Sequence, residues 1–131
     1  MLVDDHDWAR NALVKRLDGH EQLVVSGHTA DRGEALELVQ TSIPHIALVD
    51  PVRADDRGNQ IISSFKELPT LQRPLVFVHL AFFDTQVWDK ARAAGADDIV
   101  LKLIDIDAFA SRLITRAIEL LPSERWPAML S

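Results

Sequence analysis

Five residues with chemically useful side chains stand at comparable places in this chain. Asp4 and Asp5 follow "MLV", Asp50 follows "HIALV", His79 lies near the end of "PLVFVHL", and Lys102 follows "DIVL". Each closes a short run rich in Val, Ile or Leu, and a carboxylate at the end of a buried run costs solvation energy unless something pairs with it. If the runs lie side by side, three carboxylates meet, and each raises the proton affinity of the others unless a cation lies among them. A hard divalent ion with oxygen ligands meets that need, Mg2+ first, and Lys102 adds a compact positive charge. Taken singly, Asp4 and Asp5 would serve as helix caps, Asp50 as a solvated loop residue and Lys102 as a surface lysine. Their shared position at run ends favours a site.

The apolar runs read as strands buried on both faces: residues 1–3, "QLVVSG" at 22–27, "HIALV" at 45–49, "PLVFVHL" at 74–80 and "DIVLK" at 98–102. Between them lie segments with helical spacing. In the first, Ala9, Ala12, Leu13, Arg16 and Leu17 recur at three- and four-residue steps. The others are "DRGEALELVQTS", "RGNQIISSFKEL", "TQVWDKARAA" and "DIDAFASRLITRAIELL". Asp84 or Thr85 is placed to cap the fourth helix and Asp105 or Asp107 the fifth, with Gly95 ending the fourth. Strand and helix alternating five times predict a doubly wound α/β domain, a parallel sheet with helices on both faces. In such sheets the functional crevice lies beyond the carboxyl ends of the strands, where these five residues fall. The first strand is central in this arrangement yet very short, with only Met1 to Val3 ahead of the acidic pair.

With 131 residues, 47% hydrophobic and 26% charged, and a mean hydropathy of +0.01, the chain suits one globular domain with a real core. No cysteine is present, which excludes disulfides and thiolate metal sites and fits a reducing compartment. No run is long enough to span a bilayer and no secretory signal opens the chain, so the expected location is cytoplasmic and no membrane partner is expected. Net charge is −6, which does not favour wrapping by nucleic acid; any DNA contact is expected only through a segment absent from this chain. G-x-S-x-G, P-loop and G-x-G-x-x-G patterns are missing, which leaves a hydrolase or nucleotide-binding enzyme without support.

The stretches "LVDDHDWARNAL", "VVSGHTADRGEAL", "IPHIALVD" and "ARAAGADDIVLK" together resemble bacterial two-component response-regulator receiver domains, in particular those of LuxR/NarL/FixJ-type regulators. The resemblance covers residues 1–121 and leaves 122–131 as a tail or the start of a linker. It implies a flavodoxin-like, five-stranded sheet in the order 2-1-3-4-5 and phosphoryl transfer from a sensor histidine kinase to Asp50. It further implies that Asp5 and Asp50 ligate Mg2+ directly, that Asp4 assists through water, and that the backbone carbonyl of Val52 adds an oxygen. Lys102 would hold a phosphoryl oxygen. Control of transcription is the output the resemblance suggests. No separate substrate is expected to be turned over, so the chain is not read as an enzyme. A homodimer through the fourth and fifth helices is compatible with the pattern, which does not demand it.

Several positions depart from that family's pattern. His79 stands where a Ser or Thr hydroxyl binds the phosphoryl group, and Ile99 where an aromatic turns inward. Leu103 replaces the proline after the lysine, and a cis bond there would cost about 2.5–4 kcal/mol, so a trans bond is expected. Arg53, Ala54, Arg57 and Gly58 occupy the loop after Asp50, where only the glycine is retained. For His79 two readings stand: an N–H donor to a phosphoryl oxygen, or a ring bonded to Asp50 or a loop carbonyl with no regulated role. His6, His20, His28 and His45 read as structural or surface residues, and Trp88 as a packing residue before an interface one. The departures keep a second function open, a degenerate receiver acting as a phosphorylation-independent interaction or dimerisation module.

Overall fold

The computed structural model describes residues 1–51, 57–102 and 105–125. Val52, Arg53, Ala54, Leu103 and residues 126–131 of the tail lie outside them, so the expectations attached to those positions stand untouched. In chain order the elements are β1 (Leu2–Val3), α1 (Asp7–Asp18), β2 (His28–Thr29), α2 (Arg32–Ser42), β3 (Ile46–Val49) and α3 (Arg57–Lys66). They continue as β4 (Leu75–Leu80), α4 (Thr85–Ala94), β5 (Asp98–Leu101) and α5 (Ile106–Leu120). The sheet is five-stranded and parallel in the order β2-β1-β3-β4-β5, the doubly wound fold expected from the alternation.

Capping chemistry sets most helix starts. The Asp31 carboxylate accepts from the Glu34 amide, Asp84 from Gln86 and Val87, and Asp105 from Asp107 and Ala108. Each satisfies amides that the first turn leaves without partners. Gly95 ends α4 at a φ of 121°, a conformation that side chains disfavour. The predicted second strand at 22–27 is the clearest difference: pairing is confined to His28–Thr29, while Val24 is 90% exposed. The pairing partner explains it. Leu2 is matched with His28 and Val3 with Thr29, the Leu2 amide bonds the Gly27 carbonyl, and among the described residues the β1–β2 ladder is confined to these.

Side chains alternate strictly across the sheet. Leu2, Leu48 and Phe77 are in lateral register and face α1 and α5, packing with Leu17, Phe109 and Leu113. Val3, Val49 and Val78 form the next row and face Val39, Ile62, Phe65 and Ala91 of α2, α3 and α4. The row after that must return to the α1/α5 side. It consists of Asp4, Asp50, His79 and Val100, of which the last two are matched directly. Burial of all four is above nine-tenths.

One glycine is fixed by this sheet edge. A Cβ on Gly58, near the start of α3, would sit 2.5 Å from the Pro51 Cα and 2.7 Å from the Asp50 carbonyl oxygen. Both obstacles are backbone and cannot swing aside, so the retained glycine lets α3 close against the segment carrying Asp50. Gly58→Ala is therefore expected to destabilise the protein by about 1–3 kcal/mol through overpacking, measured by urea unfolding. A cost within a few tenths of a kcal/mol would show that α3 does not close on Pro51.

Candidate active site

The strand ends deliver the acidic groups and α1 closes over them. Asp4 receives two contacts from the residue that opens the helix: the His6 amide donates to its Oδ1 at 2.9 Å, and His6 Nδ1 lies 3.0 Å from the same oxygen. His6 Nδ1 is also 3.2 Å from Asp5 Oδ1 and 3.8 Å from Asp50 Oδ2. One point thus lies within reach of three carboxylates. His6 is the exposed residue the sequence suggests, and its ring nitrogen in addition stands inside the acidic cluster.

Lys102 completes the cluster. Its amide bonds the Leu80 carbonyl, continuing the β4–β5 ladder past the strand end. Nζ lies 2.8 Å from Asp50 Oδ2 and 3.6 Å from Asp4 Oδ2. Burial alone would lower the Lys102 pKa, but the bond to Asp50 and the charges of Asp50 and Asp4 outweigh it and the value is raised. For Asp4, burial pushes the pKa up; the His6 amide, the His6 ring and Lys102 together hold it below the usual range. Asp4, Asp5, Asp50 and Lys102, gathered from three strands in the sequence reading, therefore form one cluster.

The donor set suits a hard divalent cation. Asp4, Asp5 and His6 each present an atom within 4.8 Å of the others, and Asp50 borders the same point. Three carboxylates around one position supply the oxygen ligands that Mg2+ takes. Asp5, the most exposed of the three, has a side chain 38% accessible, which gives an ion a route from solvent.

Arg10 is a residue the sequence reading missed. Its Nη1 donates to the Asp4 carbonyl, its Nε to His28 Nδ1 at 3.0 Å, and its Nη2 pairs with Asp7 at 2.8 Å. A single guanidinium thereby ties the end of β1 to β2 and α1. The signal available in the sequence was its spacing, one helical turn after the His6 that follows the acidic pair. His20 and His28 keep the structural roles expected of them, against Asp107 and Arg10 respectively. Trp88 packs, partly buried, against the core.

His79 lies one strand over from Asp50 and on the same side of the sheet. Its ring meets that of Phe109 edge to face, centroids 5.5 Å apart and planes at 76°. Its Nε2 is fully buried and has no hydrogen-bond partner among the described residues. The reading in which the ring is tied to Asp50 or a carbonyl is not what is found at that nitrogen.

The profile of the response regulator receiver domain matches residues 1–114. The chain belongs to the response-regulator receiver family. The signal receiver domain of the putative response regulator NarL from Mycobacterium tuberculosis is 25% identical, with 89% of this chain and 93% of that one covered at a TM-score of 0.75. A LuxR-family two-component response regulator from Aurantimonas sp. SI85-9A1 is 22% identical, covering 91% and 84%, with a TM-score of 0.77. A LuxR-family DNA-binding response regulator from Staphylococcus aureus, 17% identical over 88% and 95% of the chains, gives 0.74. As in other receivers of two-component systems, the acidic pocket lies at the carboxyl edge of a sheet ordered 2-1-3-4-5. No helix among the described residues is long and apolar enough to cross a membrane.

In this receiver, burial first and the Lys102 charge second push the His79 pKa down to about 4. The ring is neutral at physiological pH. Unfolded chains bind that proton near pH 6.5, so between 6.5 and 4 the unfolded state holds more protons and stability falls as pH falls. The full loss is about 3 kcal/mol, and it fades out above about pH 7. Comparison of wild type with His79→Gln isolates this contribution. The difference in unfolding free energy between the two should be flat above pH 7 and shift against wild type below 6.5. A difference independent of pH would mean the ring is solvated in the folded state.

Proposed function

We propose that this receiver takes a phosphoryl group on Asp50 from the phosphohistidine of a sensor histidine kinase, in a Mg2+-dependent reaction, and that its state regulates an output, transcription being the one favoured. The observation that carries the reading is the 2.8 Å contact of Lys102 Nζ with the buried Asp50 carboxylate inside a three-carboxylate cluster. A buried structural ion pair has no need of two further carboxylates, whose repulsion works against folding.

In the proposed reaction an oxygen of Asp50 attacks phosphorus, the P–N bond breaks, and its electron pair returns to the donor imidazole. An acyl phosphate forms. Phosphoryl transfer asks mainly for in-line positioning and for charge stabilisation on the equatorial oxygens. Mg2+ held by Asp5 and Asp50, with Asp4 and the Val52 carbonyl assisting, would supply charge neutralisation. Lys102 is within reach of both Asp50 and Asp4, so its ammonium can pass from the carboxylate to a phosphoryl oxygen without leaving the site. His79, neutral, would offer an N–H in place of a hydroxyl. Loss of the phosphoryl group to water completes the chemistry, so the chain acts on itself and turns over no separate substrate. The setting is cytoplasmic, and any DNA contact would come from another segment.

The second reading, a phosphorylation-independent interaction module, draws on His79 and Ile99 at the switch positions. One experiment separates the two: incubation with Mg2+ and acetyl phosphate, followed by intact mass. Wild type should gain one phosphoryl group and Asp50→Asn none, while Lys102→Ala should react roughly ten- to hundred-fold more slowly, as expected for a lost charged hydrogen bond. Absence of any Asp50-dependent adduct would sink the phosphoacceptor reading and leave the interaction module.

A further inference from the structure

Resting on the phosphoacceptor reading, we propose that Phe109 of α5 is a positioning residue for His79, so that α5 is built into the phosphoryl site and senses the state of Asp50.

Three observations converge on it. The row Asp4, Asp50, His79 and Val100 puts the imidazole beside the phosphoacceptor and on the face that α5 covers. The ring is confined there: Val100 is its lateral neighbour, Phe109 meets it edge to face, and both are almost fully buried at 1% and 2% exposure. Finally, His79 Nε2 is buried without a partner. A buried, unsatisfied nitrogen is costly, and a phosphoryl oxygen arriving at the neighbouring Asp50 is a partner of the right chemistry.

Ile99, the residue before Val100 on β5, packs against the other core layer and carries no ring to follow a change at position 79. α5, by contrast, is fastened to the strand beside the site. Arg112 Nη2 donates to Asp98 at 2.8 Å, Arg116 Nε to the same carboxylate at 2.7 Å, and Arg112 Nε to the Ile99 carbonyl at 2.9 Å. A close-packed interior transmits a reoriented ring to the atoms touching it. Turning of the His79 ring toward a phosphoryl oxygen must therefore be accommodated by Phe109, and through it by α5. The coupling is reciprocal, so the seating of α5 also sets how well His79 meets the phosphoryl group.

The test is a double-mutant cycle read by titration with beryllium fluoride and Mg2+, a stable mimic of the phosphoryl group, using Trp fluorescence. Phe109→Leu is expected to weaken binding about three-fold, within the range of an aromatic edge contact, and to have no effect in a His79→Thr background. Equal losses in both backgrounds would reduce Phe109 to a core residue and overturn the proposal, as would no loss in either. If Phe109→Leu fails to fold, Phe109→Met fills similar space and serves in the same cycle. An independent readout uses the unsubstituted chain: imidazole 15N spectra should show His79 Nε2 shifting when the adduct forms, together with amide-exchange changes in residues 106–117. An adduct that leaves both unmoved overturns the inference while the phosphoacceptor reading survives. Failure of wild type to form any adduct overturns both, and is scored separately from the cycle.

Discussion

Everything at the carboxyl edge of this sheet depends on one ion pair, Lys102 with Asp50. Parallel register makes the pair necessary. Because side chains alternate with a period of two, the in-register strands β1 and β3 cannot present Val3 and Val49 to one core without presenting Asp4 and Asp50 together to the other side. A pair of buried carboxylates side by side is unstable as it stands, and Lys102 lies within 4 Å of both. The lysine in turn owes its place to β5, which is paired with β4 up to Leu80 and Leu101 and is closed by the Lys102 amide on the Leu80 carbonyl. A register slip of one residue between β1 and β3 would turn the Asp4 side chain toward the opposite core layer.

Much of this was legible in the sequence because it follows from periodicity and from position in an alternating chain. The runs ending in Asp50 and Lys102 mark both strand and candidate site, and Asp84, Asp105 and Gly95 mark helix ends by local chemistry that needs no tertiary knowledge. What escaped notice depends on partners distant in the chain. The run at 22–27 has every mark of a strand, yet a strand exists only where a neighbour pairs with it, and among the described residues β1 pairs only with His28 and Thr29. His6 looked like one of several scattered histidines because spacing between histidines says nothing about carboxylates arriving from β3. Arg10 was invisible for the same reason, since its partners are a carbonyl at the end of β1 and a ring on β2.

His79 shows the limit of reading by resemblance. A substitution at a switch position suggests loss of function when set beside a family pattern. Its surroundings say something narrower. The ring lies in the same row as Asp50, stays neutral, and keeps one nitrogen buried without a partner, which a merely drifting residue would have every energetic reason to avoid.

Charge accounting gives the neutral ring its meaning. Converting the Asp50 carboxylate to an acyl phosphate adds negative charge to a site that already holds Asp4 and Asp5. If Lys102 follows the new phosphoryl oxygens, the Asp4 carboxylate loses the ammonium 3.6 Å away but retains the His6 amide and the His6 ring, contacts already in place before any reaction. A cationic His79 would answer the added charge directly, making the two states differ mainly in electrostatics. A neutral one contributes a directional N–H and little else, so under the proposed phosphorylation its response would be a change of orientation. Orientation is the property that a ring packed edge to face against Phe109 is able to register.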